Sequence, residues 1–448
     1  MISQDEIVNK STELAVHPSN VQRDYIFGWI LAGIYSISEL RNSLILKGGN
    51  CFRKAYFERA RFSPDLDFAT TGGLSEDLIA LELNRVCDFV ETSTGVHFDK
   101  ARTRVQEKKR IDDSKQIYEA RLYFQDFFGA NSEIVLSIRM DISQFEKVFL
   151  QPQTRNIIHQ YSDYPLISAQ VRCLKLEEML AAKLKCLLQR RHSADLYDLV
   201  NATLINPTID VSRREIVETF LKMTIFSSGA GAVKELLYNL PFQIIQGLWE
   251  KHLVLPNNAL IEFESAVAGF KTFVDSLFGS LPTAWGDFAF FPSHLRNPVM
   301  EAGYNFTILN VVYDGVQREV EPYSLKYKIR RDGVAREYLY VYDLTGGRSS
   351  GPGVKTFVHQ RIQSIANTDK EFEPRFDVEL SKAGELFSQH SFEGRRRSFL
   401  PFARSTAKYV IECPICGKRF NRNTYSLKLN PHKDTYGNKC YGSMGFIV

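Results

Sequence analysis

The sequence predicts an α+β chain of several domains, and three observations carry that prediction. Residues 1–280 interleave apolar positions at helical spacing with short strand-like runs, the helical spacing becomes continuous from Ser212 to Phe278, and alternating aromatic and β-branched runs take over beyond Ala284. At 448 residues the chain is longer than one hydrophobic core usually serves. Three regions are expected, spanning 1–280, 300–390 and 395–448.

Each element has its own sequence signal. YIFGWILAGIYSISEL (25–40) places apolar residues on a helix, SLILKGG (43–49) is a short strand closed by glycines, and SEIVLSIRMDIS (132–143) is a second strand. AVKELLYNLPFQIIQGLWE (232–250) belongs to a helical packing bundle, and AWGDFAFFPSHLRNP (284–298) reads as a connector. NFTILNVVYDG (305–315), EYLYVYDL (337–344) and VKTFVHQRIQSI (354–365) predict a small β-rich domain. The last segment opens with RRRSFLPFAR (395–404) and holds three of the seven cysteines.

Composition narrows the function classes. A hydrophobic content of 44% and a charged content of 24% describe an ordinary soluble protein, and no apolar run approaches the roughly 18 residues of a membrane helix. MISQDEIVNKSTEL at the start lacks the charged-then-apolar pattern of a secretory signal. The scattered Cys51, Cys87, Cys173 and Cys186 read as buried reduced thiols, which with the absence of a disulfide framework predicts a cytoplasmic protein without membrane contact. The net charge of +4 says little, because clustering and not the sum decides what a surface binds.

The chemistry concentrates in LILKGGNCFRKAYFERARFSPDLDF (44–68). Asp65 and Asp67, at i and i+2 on a strand, project to one face and can jointly hold divalent cations, while Gly48 and Gly49 leave backbone N–H groups open to phosphate. Phosphoryl transfer with two Mg²⁺ ions calls for a third carboxylate on a neighbouring strand, and Asp141 in SIRMDIS fits that need.

These residues, with LEEMLAAKLKCLLQRRHSADLYDLV (176–200) and VQRDYIFGWIL (21–31), resemble the AbiEii/AbiGii toxin family. The resemblance covers the first 200 residues and implies a nucleotidyltransferase domain of the polymerase-beta type. It implies that Lys47, Gly48 and Gly49 approach the triphosphate, that Asp65, Asp67 and Asp141 bind Mg²⁺ or Mn²⁺, and that Arg61 and Ser63 support the loop or the phosphates. Lys183 would contact nucleotide phosphates, with Asp195 and Asp198 positioning that lysine or the incoming substrate. Two positions depart from the family pattern: Ala194 stands where arginine usually precedes Asp-Leu-Tyr-Asp, and Asn50 stands where threonine or serine usually follows Gly-Gly. The implied activity is transfer of nucleotides from an NTP to RNA, at the tRNA 3′ acceptor end in several members, by a toxin or phage-defence effector that an antitoxin would restrain. A catalytically weak nucleic-acid-binding regulator, or modification of a protein, remains as an alternative. For RNA, basic RTRVQEKKR (102–110) and aromatic RLYFQDFFG (121–129) offer phosphate neutralisation and base stacking.

Two further modules are expected. VEPYSLKYKIRRDGVAREYLYVYDL (320–344) and VKTFVHQRIQSIANTDKEFEPRF (354–376) resemble a WYL domain, an Sm-like β module, at Pro322, Tyr323, Tyr338, Leu339, Arg361 and Ile362, with Glu337 in the place of the tryptophan. The resemblance implies a basic groove for a nucleic-acid or nucleotide ligand, for which Arg330, Arg331, Lys355 and Arg361 are candidates. Cys413-Pro-Ile-Cys416-Gly is a thiolate knuckle, followed after fifteen and seven intervening residues by His432 and Cys440. Four N/S ligands with no open position predict a structural Zn²⁺ site in a zinc ribbon. RRRSFLPFAR before it and GKRFNRNTYSLKL (417–429) within it suit nucleic-acid contact.

Overall fold

The computed structural model describes residues 2–108, 116–127, 135–190, 192–206, 210–224, 230–240, 242–257, 259–279, 291–329, 335–347, 350–380 and 409–447, the last range apart from 414, 417, 423–426, 434–438, 441 and 443. Three separate hydrophobic clusters organise these residues, the first drawn from Ile2 to Phe278, the second from Phe291 to Leu380 and the third from Ile411 to Cys440.

The first cluster sits between helices and a mixed seven-stranded sheet. Helices α1 (Gln4–Leu14) and α2 (Pro18–Ser36) precede strand β1 (Leu44–Lys47), the short α3 (Gly48–Cys51) and strand β2 (Asp65–Thr70). Then come α4 (Glu76–Thr94), β3 (Arg104–Glu107), β4 (Ile117–Gln125), β5 (Val135–Ser143), β6 (Gln153–Asn156) and β7 (Gln170–Cys173). The sheet order is β3-β4-β5-β2-β1-β7-β6. Strands β2 and β5 run parallel, as do β1 and β7, and the remaining neighbours are antiparallel. Helix α2 is buried almost all round, as a helix apolar on every face must be. Proline at its first turn and the His17 ring accepting from Ser19 N fix where it starts. It stops at Ser36, before the predicted Leu40, because Ser38 caps a separate 3₁₀ turn.

Inside this layer a buried charge cluster ties the loop after β1 to α2. Asp24 on α2 accepts from Arg53 Nε at 2.6 Å and Lys54 Nζ at 2.9 Å, and Tyr161 OH donates to its other oxygen at 2.9 Å. Arg53 and Lys54 lie on a π turn, Phe52–Tyr56, that continues α3. Their charges are therefore internal and hold the Gly-Gly segment in place.

Helices α5 (Leu176–Gln189) and α6 (Ser193–Val200) follow, then α7 (Arg213–Thr224), α8 (Ala230–Tyr238), α9 (Phe242–His252) and α10 (Phe263–Phe278) in the stretch 212–278 expected to be helical. Tyr197 OH donates to Ala259 O at 2.9 Å, joining α6 to the segment before α10. Cys51, Cys87 and Cys173 are buried; Cys186, expected with them, is half-buried on α5. Among the described residues no helix is long and apolar enough to cross a membrane.

The second cluster joins α11 (Ser293–Asn305) to a five-stranded antiparallel sheet of β8 (Thr307–Tyr313), β9 (Val316–Ile329), β10 (Ala335–Asp343), β11 (Gly353–Phe357) and β12 (Ile362–Glu371), in the order β11-β10-β9-β8-β12. It docks on the bundle: Arg296 bonds to Leu188 O at the end of α5, and Gln189 Nε2 donates to Leu325 O at 3.0 Å. Glu337 is fully buried there, pairing with Arg296 Nη2 at 2.6 Å and accepting from Phe291 N at 2.7 Å. That ion pair explains how a glutamate can stand where the resemblance leads one to expect tryptophan.

The third cluster belongs to β13 (Tyr409–Glu412), β14 (Arg419–Arg422), β15 (His432–Lys433), β16 (Lys439–Cys440) and β17 (Phe446–Ile447), arranged as a sheet β14-β13-β17 and a ribbon β15-β16. RRRSFLPFAR and residues 284–290 of the connector lie outside the described residues.

Candidate active site

Strand register assembles the acidic site. Asp67 on β2 is the direct partner of Lys47 on antiparallel β1 and of Asp141 on parallel β5, and Asp141 is in turn the partner of Glu119 on β4. One step along, Asp65 faces Arg139, which faces Arg121. Because side chains alternate across a sheet, all seven project from the same face. The result is two rows of charge, Lys47-Asp67-Asp141-Glu119 and Asp65-Arg139-Arg121.

The two rows are cross-linked. Arg139 Nη2 donates to Asp65 Oδ2 at 3.2 Å and to Asp141 Oδ2 at 2.8 Å, and Lys108, just beyond β3, reaches Asp141 Oδ2 at 3.1 Å and Glu119 Oε2 at 3.3 Å. Arg121 Nε holds the other Glu119 oxygen at 2.6 Å. Burial, followed by the charges of Asp65 and Asp141, pushes the Asp67 carboxyl up to about 6, although Lys47 and Arg139 oppose it. Asp65, Asp67 and Asp141 offer hard oxygen donors on adjacent strands, the donor type that suits Mg²⁺ or Mn²⁺.

Two glycines let the backbone lie against this face. Gly48 has φ +72°, and a Cβ there would sit 2.1 Å from Asp67 Oδ2. A Cβ on Gly49 would meet Arg61 Nη2 at 2.6 Å and Ser63 Oγ at 2.7 Å. Asn50 fixes the turn: its Nδ2 donates to Ser63 O at 3.2 Å and to Asp65 O at 2.5 Å. The departure at position 50 thus carries an amide that a threonine or serine hydroxyl would not replace in kind, since both donations come from one NH₂ group. Ser63 Oγ in turn lies 3.1 Å from Asp65 Oδ1.

A second charged cluster abuts the first through Arg61. Arg61 grips Asp198 with Nε at 2.8 Å and Nη2 at 3.0 Å, while Lys183 Nζ lies 2.7 Å from Asp198 and 2.8 Å from Asp195. Arg190 holds Asp195 with two bonds of 2.7 and 3.0 Å. Arg61, Lys183, Asp195 and Asp198 are buried and Arg190 is half-buried, so Lys183 is an internal charge on α5 and not a solvated one. Burial pushes the Lys183 ammonium down, but Asp195 and Asp198 outweigh it and hold it above its ordinary value. Burial drives the His192 imidazole down to about 3, leaving it neutral with Nδ1 accepting from Ala194 N at 3.0 Å as the cap of α6. Ala194 therefore contributes its N–H to a cap, and Arg190 provides the guanidinium beside Asp195. A continuous path of contacts runs Asp65, Ser63, Gly49, Arg61, Asp198, Lys183.

Glu119 and Arg139 are not among the residues singled out from sequence, and Lys108 enters there only within the basic stretch 102–110. Arg139 was findable, two residues before Asp141 and so on its face; Glu119 and Lys108 become neighbours only through the β4–β5 and β3–β4 pairings. Glu146, which pairs with Lys47, escaped for the same reason. One expectation is corrected. Tyr123, Phe124 and Phe127 of residues 121–129 are buried in the core and offer no stacking surface, and Phe128 lies outside the described residues. Of the basic stretch beside them, Arg102 lies over the Tyr123 ring at 4.5 Å, Arg104 donates to Tyr123 OH at 3.1 Å, Lys108 faces the carboxylates, and Lys109 and Arg110 lie outside the described residues. In the second module Pro322, Tyr323 and Leu339 are buried and Tyr338 is half-buried. Ile362 is also buried, whereas Arg361 is exposed and lies 3.4 Å from Asp314. Lys355 donates to Ser350 at 2.6 Å, and Arg330 and Arg331 lie outside the described residues.

The cysteine knuckle forms a four-residue cluster. One ligand atom each from Cys413, Cys416, His432 and Cys440 lies within 4.8 Å of the others, and all four residues are buried. Cys413 Sγ and Cys440 Sγ are 3.8 Å apart, close to the edge of about 3.8 Å that a tetrahedron of roughly 2.3 Å Zn–S bonds requires. His432 Nδ1 is bonded to Asn430 O at 2.8 Å, and its buried Nε2 finds no hydrogen-bond partner among the described residues. A Cβ on Gly442 would sit 2.4 Å from Cys413 Sγ, so glycine is required where the chain passes the cluster. Donation from Cys416 pulls the Cys413 thiol down, and the same bond with burial pushes the Cys416 thiol up.

Residues 29–288, more than half of the chain, match the family model described as nucleotidyl transferase AbiEii toxin, type IV TA system. Among solved structures the chain is similar to MenT4, a nucleotidyltransferase toxin from Mycobacterium tuberculosis H37Rv, at 16% identity and a TM-score of 0.41, covering 63% of this chain and 91% of that one. No curated protein matches.

Proposed function

The chain belongs to the AbiEii nucleotidyltransferase toxin family, and from that premise we propose that it transfers nucleoside monophosphate from an NTP to RNA, at the 3′ acceptor end of tRNA. The observation that carries this reading is the register of three strands, which sets Lys47, Asp67 and Asp141 side by side with Asp65 one step away. Asp65, Asp67 and Asp141 are the residues that would hold Mg²⁺ or Mn²⁺, whose chemistry is charge neutralisation and Lewis-acid polarisation of phosphoryl oxygens. Lys47, Gly48 and Gly49 cradle the triphosphate, with the glycines giving it access to the helix that begins there. Arg61 and Ser63 hold that cradle, and Lys183, steadied by Asp195 and Asp198, places positive charge behind it.

In the reaction an acceptor hydroxyl attacks the α-phosphorus, the new phosphodiester P–O bond replaces the bond to pyrophosphate, and the hydroxyl proton passes to the carboxylate cluster. A cognate antitoxin restrains the activity. Cys413, Cys416, His432 and Cys440 fit structural Zn²⁺, and the second module, with Lys355 and Arg361 on its surface, receives a nucleotide or nucleic-acid ligand.

A second reading, a nucleic-acid-binding regulator without catalysis, draws on Arg139 and Lys108 being engaged with Asp65 and Asp141. One experiment separates them. Full-length protein is incubated with Mg²⁺, each α-labelled NTP in turn and total bacterial tRNA, beside an Asp65→Ala/Asp67→Ala variant. The proposal expects label in RNase-sensitive material with the wild type alone. RNase-resistant label means a protein acceptor, and no label with tRNA retained means the regulator.

A further inference from the structure

Four described non-glycine residues have left-handed backbone: Ala15, Phe145, Phe306 and Asp314. L residues adopt this conformation at a cost, so each instance asks for a local cause. Ala15 and Phe306 terminate α1 and α11 as their C-caps, and Phe306 is also buried against Phe372. Asp314 precedes Gly315 in the two-residue hairpin between β8 and β9, where asparagine or aspartate followed by glycine is the favoured choice. Phe145 has none of these causes. It follows β5, four residues after Asp141, with φ +52° and 59% of its surface exposed.

The segment that presents it is held on both sides. Gln144, fully buried, exchanges two bonds of 2.7 Å with the backbone of Leu74, and its own N donates to Gln116 O at 2.8 Å. Glu146 N donates to Thr70 O at 3.1 Å at the end of β2, and its carboxylate pairs with Lys47. Lys47 Nζ also reaches Ser143 Oγ at 3.3 Å. Glu146, directly after the exposed ring, and Ser143, two residues before it, are thereby tied to the lysine opposite Asp67. The ring leans on Gly73, where a Cβ would lie 3.0 Å from Phe145 Cζ. A strained, exposed aromatic held on both sides thus stands just past the end of β5, next to the Glu146 carboxylate that pairs with Lys47.

We propose that Phe145 is a stacking platform for an unpaired nucleobase at this site. Stacking on an aromatic face suits any base, and a ring already fixed in place loses little freedom on binding. The nucleobase has two sources, the incoming NTP and the 3′ end of the acceptor RNA. The inference rests on the nucleotidyltransferase reading but is tested apart from it.

Filter binding of each labelled NTP with Mg²⁺, and of total bacterial tRNA without NTP, is measured for full-length wild type, F145A, F145G and F145W, together with melting temperature. The expected result is about tenfold weaker binding of one probe by F145A and F145G and near wild-type binding by F145W. F145G relieves the left-handed backbone, so its melting temperature should equal or exceed that of wild type while its binding is lost. Loss confined to NTP assigns the incoming base; loss confined to tRNA assigns the acceptor. Unchanged binding of both probes by F145A and F145G overturns the proposal, as does F145G melting well below wild type. Transfer by the wild type that F145A retains in full, with binding also intact, removes the platform and leaves the transferase. A wild type that transfers nothing while F145A still loses nucleobase binding removes the transferase and leaves the platform.

Discussion

Gly48 is the residue on which the candidate site is most exacting. Its φ and the 2.1 Å that would separate a Cβ from Asp67 Oδ2 act together, so Gly48→Ala meets both backbone strain and a clash with the Asp67 carboxylate. We expect Gly48→Ala to lower nucleotide transfer by about a hundredfold or more, roughly 2.7 kcal/mol in barrier, in a labelled-NTP assay. His192 gives a pH signature. Its folded-state value of about 3 lies below the ordinary 6.5, so between these values the unfolded chain binds a proton that the folded one refuses. Folding stability therefore falls as pH drops below about 6.5, by up to about 1.4 kcal/mol per unit from this group alone. Asp195, facing His192 with its own value depressed, adds a loss in the same direction only below its ordinary 3.8. Denaturant titrations of His192→Asn, which keeps a capping side chain, should show a shallower decline from pH 6.5 to 4.5 than wild type; equal slopes would contradict the assignment. Several site residues were legible at this scale. Asp65 and Asp67 announce a shared face by their spacing, and Gly48 by its place after a strand. The Arg61–Asp198 grip was not, since 137 positions separate the two and only the packing of α6 joins them.

At the scale of elements, β2 and β5 do the positioning, and their parallel pairing could not be read from either strand alone. SIRMDIS is recognisable as a strand, but which residue of β5 faces Asp67 depends on register, and register also brings in Glu119 from β4. The buried aromatics of β4 show the limit of composition: Tyr123 and Phe124 belong to a strand covered on both faces, so a basic neighbour did not make them a nucleic-acid surface. The cysteine knuckle was legible because only two residues separate Cys413 from Cys416, a spacing that marks paired thiols. Full-length protein should carry one zinc per chain by elemental analysis, and chelation should unfold the β13–β17 segment while leaving the melting of the first domain in place. Gly442→Ala should lose the metal; retention of one zinc would contradict the cluster geometry.

For the whole molecule, the second module is fastened to the bundle through Arg296, which bonds to Leu188 O on α5 and pairs with fully buried Glu337. Removing one partner leaves the other charge buried, so Arg296→Ala should cost about 3–5 kcal/mol, whereas the double change Arg296→Met/Glu337→Met should recover much of that loss. Equal destabilisation by both variants, read from denaturant midpoints, would place the fastening elsewhere. The attachment bears on function because α5 also carries Lys183. The central claim is that carboxylates from β2 and β5 form one site for nucleotidyl transfer, and Asp141 is its most demanding member, since only strand pairing brings it to Asp67. The measurement that tests it most directly is the initial rate at which full-length Asp141→Ala transfers α-labelled nucleotide to tRNA at saturating Mg²⁺. The account predicts a rate at least about a thousandfold below wild type, roughly 4 kcal/mol of barrier. A rate within about threefold of wild type, under 1 kcal/mol, would contradict it.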